Sequence, residues 1–411
     1  MKHLFPGATG HFSLIQGCYW MTYCILISFS SLYLLDRGFT NTQIGLLLGI
    51  AGLTAAILQP FVGAKGDHLK VLSLRQFTSL PIAAMILCGV GLFLVPAKPV
   101  QAALYMVLLV LLQLLTPLIY SLGMDCLNNH IELNFGLARG IGGGTYALAS
   151  AVCGSLAAAL GARVIPLVLV VAVALMLAFT FTFRQGGPVK STLPKPDALP
   201  QSDGTPFLKK YPQVLPLLIG VILLYTSHNV IMNFPYQIVR SLGCGSAEMG
   251  HYLTLQSLMD IPAMVVFSLL LKRASSRAWV RLTGISFFLH ALLTWLAPNL
   301  PFLMVVQVFE MSGYALYSVS SVYFVNEMVD LCDRVQGQTY FTMANTIGIV
   351  LSSVLGGRLL DLGGASAALC LATVTGAAGM VILWFLLRRK SLRPATNVSV
   401  PVHLCRLLTT R

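Results

Sequence analysis

The sequence predicts an all-α membrane protein in which twelve transmembrane helices form two pseudo-symmetric six-helix bundles. Three observations carry this expectation. Of 411 residues, 56% are hydrophobic and 9% charged, where a soluble domain carries about 25% charged residues. Twelve apolar runs come near the length of about 20 residues that a membrane span needs. The basic residues between those runs gather on one side. This balance excludes a soluble enzyme, a DNA-binding protein and a disulfide-knit secreted module. A formal charge of +13 would suggest nucleic acid as partner in a soluble chain. Here it reads as basic loops on one face of a bilayer, with no nucleic-acid partner expected.

The runs fall at 12–35, 43–64, 74–95, 101–124, 138–160, 163–183, 212–236, 249–271, 282–297, 301–325, 340–360 and 365–387. The first is longer than the apolar region of a signal peptide and lacks an Ala-x-Ala cleavage site, so it reads as a helix. Twelve spans place both termini on one side. Of the 26 Lys and Arg residues, only Arg37, Lys98, Arg163, Arg240 and Arg358 fall on the other side. The asymmetry assigns both termini to the cytoplasm of a plasma membrane, the inner membrane in a bacterium.

Residues 184–211 are the long polar stretch between spans, with five prolines and five basic residues. They read as a mobile cytoplasmic linker. The linker separates an N-terminal bundle, 1–183, from a C-terminal bundle, 212–390, with a basic cytoplasmic tail at 391–411. The halves share a weak repeat. A shift of 205 places Gly38, Gly45, Leu48 and Leu53 on Gly243, Gly250, Leu253 and Leu258, and a shift of 202 places Ser150, Gly154 and Gly161 on Ser352, Gly356 and Gly363. Parallel six-helix repeats joined by a linker point to a secondary transporter with its site between the halves.

Short motifs give this architecture a family likeness over nearly the whole chain. After the second span, Gly63-Ala64-Lys65-Gly66-Asp67-His68 resembles the cytoplasmic loop motif of the major facilitator superfamily, with His68 where Arg is usual. Phe135-Gly136-Leu137-Ala138-Arg139, followed by Gly142 and Tyr146, is similar to the start of the fifth helix in the lactose-permease-like branch of oligosaccharide and nucleoside proton symporters. Gln307, Glu310 and Gly313 resemble its tenth helix. Gly337-Gln338, Gly356-Gly357 and Asp361 resemble its eleventh. The resemblance implies the major facilitator fold and a cavity lined by helices one, four, seven and ten. It also implies an Arg and an aromatic facing the solute at Arg139 and Tyr146, and acidic coupling positions on helices eight and ten.

Ionisable residues inside spans are costly, so they normally face a cavity or a partner. Of thirteen acids, Asp125, Asp260 and Glu310 fall inside or at the edge of spans. Glu310 belongs to a helically spaced stripe with Gln307, Tyr314, Tyr317 and Ser321. Glu310 and Asp260 are the expected proton-coupling groups. Asp125 and Arg139 flank the turn between helices four and five at similar height and suit an ion pair. With Asp67 they are the expected gating charges. A guanidinium there can also donate a planar fork to a solute. Packing, or setting the topology at the membrane edge, is the alternative role for these groups.

His228 groups with Tyr225, Asn229 and Asn233 at helical spacing and can titrate near neutral pH, whereas His290 has no polar company in its own helix. Gln16, Tyr19 and Tyr23, and Gln113, Thr116 and Tyr120, run i, i+3, i+7 on helices one and four. Amides and rings suit a neutral polyhydroxylated or heterocyclic ligand; hydrogen-bonded contact between helices is the plainer use. The expected solute-binding set is therefore Gln16, Tyr19, Tyr23, Gln113, Tyr120, Arg139, Tyr146, His228, Asn229 and Tyr314. Gly140 and Gly142–Gly144 lack the strand and Lys of a phosphate loop. Nine cysteines form no CxxC and no Cys/His cluster at metal spacing, so no metal, cofactor or enzymatic activity is expected. The resulting expectation is a monomeric carrier that imports a small neutral solute (sugar, oligosaccharide or nucleoside) with protons. A proton-driven exporter or uncoupled facilitator of small or lipophilic molecules is the first rival, and a non-transporting membrane sensor a remote one.

Overall fold

The computed structural model of the chain describes residues 7–67, 73–128, 131, 133–183, 206–270, 274–330 and 333–388. Every regular element among them is helical. The order is α1 (Gly7–Tyr23), a π-helical turn (Cys24–Ser28), α2 (Ser30–Asp36), α3 (Asn41–Asp67), α4 (Leu74–Leu94), α5 (Lys98–Asn128), α6 (Phe135–Leu160) and α7 (Ile165–Thr182). After the long polar stretch come α8 (Phe207–Lys210), α9 (Val214–Asn233), α10 (Pro235–Ser241), α11 (Ser246–Leu270) and α12 (Ser276–Trp295). Then follow α13 (Leu300–Val306), α14 (Val308–Glu310), a second π-helical turn (Met311–Ala315), α15 (Leu316–Met328) and α16 (Arg334–Arg388).

Eight of the described helical segments are long and apolar enough to cross a membrane, or nine if the bent pair α1–α2 counts as one span. One of the eight, Gln336–Arg388, has 53 residues. It is broken by non-helical backbone at Gly363 and Gly364, between the last two apolar runs of the sequence. α11 and α12 are not among the eight. They carry the polar load of Glu248, His251 and Asp260, and of Arg277, Arg281 and His290. The helix starts obey local rules. Ser73 and Gln76 form a reciprocal capping box at α4, and Asn134 and Ser275 accept backbone N–H groups at α6 and α12.

The sequence repeat has a backbone counterpart. Gly38 and Gly243, which superpose under the shift of 205, both adopt positive φ, 77° and 78°, a region where glycine has no steric cost. Each ends the segment that precedes α3 or α11.

Two crossings join the halves. At one, α6 meets α11 through Gly154 and Gly250. A Cβ on Gly154 would lie 2.8 Å from the Gly250 Cα and 2.7 Å from the Ser246 carbonyl oxygen. Such proximity requires the absence of a side chain. Thr254 and Ser257 donate across this crossing to the carbonyls of Ala147 and Gly143, at 3.0 and 2.9 Å. At the other, α3 meets α16 through Gly45 against Ser353 and Gly357, and through Gly357 against Asn41. Asp361 caps α3 from the opposite half. Its carboxylate accepts from the backbone N–H of Asn41 (3.0 Å) and Thr42 (2.7 Å) and from both their side chains (2.8 and 2.6 Å). These bonds satisfy donors that a helix start otherwise leaves open. Both crossings lie at the end of the molecule that carries the 37–40 and 242–245 loops.

Residues 206–211, which the sequence assigns to the linker, are packed against the C-terminal half. Phe207 and Tyr211 are buried, and Phe207 stacks on Tyr340 with centroids 5.0 Å apart. Lys210 pairs with Asp333 at 2.7 Å and Asp330 at 3.1 Å, and the Tyr211 hydroxyl donates to both carboxylates. The hydrogen bond to Asp333 holds the Lys210 ammonium well above its ordinary pKa. The described anchor thus begins at Pro206, because two aromatics and a charge cage fix a segment whose proline content suggests mobility. Asp333→Ala is expected to lower the melting temperature in detergent, as removal of a hydrogen-bonded charge costs about 1.5–3 kcal/mol. A thermal-shift assay checks it.

Candidate functional site

A cavity of about 790 Å³ lies between the halves, on the other side of the two crossings. It runs from Leu48 and Ser353, near the α3–α16 crossing, to Gly136 and Thr342. The N-terminal half contributes Tyr23 from α1, Gln113 and Tyr120 from α5, and Arg139 and Tyr146 from α6. The C-terminal half contributes His228 and Asn229 from α9, Asp260 from α11, and Glu310 and Tyr314 from the segment around the second π-helical turn. All ten were singled out in the sequence.

Gln16 and Tyr19 do not line the cavity. Both are buried; the Tyr19 hydroxyl instead meets the Thr116 hydroxyl at 2.5 Å, and it is Thr116 that reaches the lining. Of the α13–α15 stripe, Gln307 and Tyr317 are also lost to the protein interior. For Tyr317 the π-helical turn Met311–Ala315 changes the register of 3.6 residues per turn on which the stripe was drawn; Gln307 lies before that turn, at the break between α13 and α14. Asp125 is half-buried on α5 and outside the cavity lining. The side chain of Asp67, and His68, lie outside the described residues.

Arg139 is held by an aromatic contact that the sequence did not suggest. Its guanidinium lies 3.8 Å from the centre of the Trp20 ring, a cation–π arrangement. Trp20 fits against α6 because Gly142 has no side chain; a Cβ there would sit 2.5 Å from the indole. Tyr146 donates or accepts at Ser28, 2.6 Å away, and Gln59 donates to the Gln113 carbonyl at 3.1 Å. Arg139, Tyr146 and Gln59 are therefore oriented by neighbours, the last through the backbone of Gln113.

The C-terminal wall holds a buried cluster. Glu310 Oε2 lies 3.4 Å from His228 Nδ1 and 3.3 Å from His290 Nδ1, with all three residues buried. His290 was expected to have no polar company. The structure corrects this: α12 packs on the second π-helical turn and α14 and brings His290 to a carboxylate 20 residues away in sequence. The His228 ring stacks on Tyr314, with centroids 4.8 Å apart and planes 6° from parallel. Beside them Gln256 donates to the Met232 sulfur at 2.9 Å, and Asp260 Oδ1 is buried without a hydrogen-bond partner.

Two bundles of parallel repeats that cross at one end over a polar cavity define a membrane transporter. The chain belongs to the MFS_1-like family, whose sequence model matches residues 13–370. Solved structures agree on the fold. A mutant of the nucleoside transporter NupG aligns with TM-score 0.76 at 14% identity, covering 93% of this chain and 98% of that one. Another structure of NupG gives TM-score 0.72 at 16% identity, covering 93% and 99%. A bacterial homologue of the iron transporter ferroportin in an inward-facing state gives 0.69 at 14% identity, covering 93% and 99%. A search of curated proteins gives no match. The major facilitator fold expected from the motifs is thus the fold of this protein.

Proposed function

We propose that the protein is a secondary active transporter that takes up a small neutral solute, a nucleoside, sugar or oligosaccharide, together with protons by alternating access. One observation carries this reading: a cavity shared by both halves joins amides and aromatic rings to two carboxyl groups, Asp260 and Glu310. Amides and rings match hydroxyls and heterocycles. Carboxyls at membrane depth suit ion or proton coupling. The likeness to a nucleoside transporter puts nucleosides first among solutes to test.

In this mechanism the two crossings close the outer side, and the cavity belongs to a state that faces the cytoplasm, where the basic loops place the termini. Protonation of Glu310, with Asp260 beside it as the alternative carrier of the same proton, favours solute binding from outside. Rocking of the halves exposes both to the cytoplasm, and release of the proton and solute resets the carrier. Arg139, fixed over Trp20, donates to solute oxygens. Arg139→Lys keeps the charge but loses the planar fork. It is expected to raise the half-saturating solute concentration about tenfold, roughly 1.4 kcal/mol, as measured by initial uptake rates.

The reading is tested by uptake of labelled uridine and a panel of sugars into proteoliposomes under an inward proton gradient. Accumulation that a protonophore collapses supports it. Uptake of a panel solute that only equilibrates, gradient or not, leaves the facilitator. Expulsion of lipophilic compounds favours the exporter.

A further inference from the structure

We propose that His228, Glu310 and His290 form a binding site for one divalent first-row transition-metal ion, of the zinc type, in the C-terminal wall of the cavity. A charge-assisted bond between imidazole and carboxylate is about 2.7–2.9 Å long. Here both Nδ1 atoms stand farther off, at 3.4 and 3.3 Å. Glu310 Oε2 and His228 Nδ1 face each other, both buried, with no hydrogen bond of good geometry between them. Buried groups left in this way call for an explanation such as a missing ion.

The two carboxylate–imidazole distances suit a shared metal. Zinc binds imidazole nitrogen and carboxylate oxygen at about 2.0–2.2 Å, which in a tetrahedron sets neighbouring ligands roughly 3.3–3.5 Å apart. The donor atoms of all three residues lie within 4.8 Å of one another, so the two imidazoles move closer together for both to reach tetrahedral spacing on one ion. Two histidines and one carboxylate with an open position is a ligand set that proteins use for zinc and ferrous iron. The open position falls toward the cavity, because Glu310 and His228 line it whereas His290 stands behind them. Supporting contacts hold the site in place: Tyr314 stacks on the His228 ring at 4.8 Å and Phe287 meets it edge-on at 5.5 Å. Ring packing of this kind locks the His228 rotamer.

This site goes beyond the solute reading and does not depend on it. An ion and a proton need the same Glu310 carboxylate, so the uptake experiments above are run with a chelator present.

The test is zinc binding to the full chain, purified in detergent without a histidine tag, by titration calorimetry. One saturable site per chain is expected. Its affinity should fall more than about 100-fold, beyond the usual effect of removing a supporting residue, in both His290→Ala and Glu310→Gln. X-ray absorption of the zinc-loaded native chain is independent of whether the variants fold. It should show imidazole and carboxylate ligands at about 2.0–2.1 Å. No saturable binding by the folded native chain, unchanged affinity in the two variants, or a zinc shell without imidazole would each overturn the proposal. A protein that accumulates solute but binds no zinc loses this inference alone. One that binds zinc but moves no solute loses only the transport reading.

Discussion

Glu310→Gln is expected to reduce solute accumulation to simple equilibration while exchange of internal for external solute continues. Glutamine keeps the size and hydrogen-bonding reach of the side chain but cannot exchange a proton. With one proton per solute, an inward gradient of one pH unit supports about tenfold accumulation, because a factor of ten corresponds to about 1.4 kcal/mol. The variant should therefore drop from a ratio of about ten to about one, measured with labelled solute in vesicles. Exchange requires only the rocking of a loaded carrier, so its rate should stay within a few-fold of the native rate. A variant that still accumulates solute at the native ratio removes Glu310 from the coupling step and leaves Asp260 to carry it.

Gly154→Trp should hold the outer side open. A Cβ alone on Gly154 already meets Gly250 Cα at 2.8 Å, and an indole has no space between two backbones in contact. Overpacking of a close crossing costs about 1–3 kcal/mol or more, and about 2.7 kcal/mol is enough for a hundredfold shift in a two-state population. The affected population is the closed one, since the α6–α11 crossing exists only while the halves meet on that side. The observable is labelling of Asn229→Cys, a cavity position, by an impermeant maleimide from outside, in a background without the nine native cysteines. The rate should rise at least about tenfold with the tryptophan, and net uptake should be lost. Unchanged labelling would mean that this crossing does not close the pathway.

The outline of the fold was legible because its causes are local. Apolar runs of span length mark helices whatever they pack against, and all twelve runs overlap helical segments, the last two on either side of the break at Gly363 and Gly364. The pairing of Gly38 with Gly243 was also legible, since a loop that needs positive φ selects glycine in each half. The site was legible where one helix face sufficed, as for Arg139 with Tyr146 or His228 with Asn229. It was not where neighbours decide. His290 looked isolated because its carboxylate partner comes from another helix. Trp20 gives no signal of its own in the sequence, because the guanidinium its ring faces comes from Arg139 on another helix. Tyr317 looked like lining because a stripe drawn at 3.6 residues per turn cannot anticipate a π-helical turn within it. Phe207 and Tyr211 sit beside prolines that signal a linker, and their partners, Tyr340 and the acidic pair Asp330 and Asp333, come from distant sequence.

The central claim is that a solute and a proton cross together through the cavity between the halves. The most direct measurement records external pH over proteoliposomes in a weakly buffered medium while nucleosides and sugars are added one at a time. The account predicts alkalinisation on addition of a transported compound, abolished by a protonophore and by Glu310→Gln. Solute that enters with no change in external pH would contradict it.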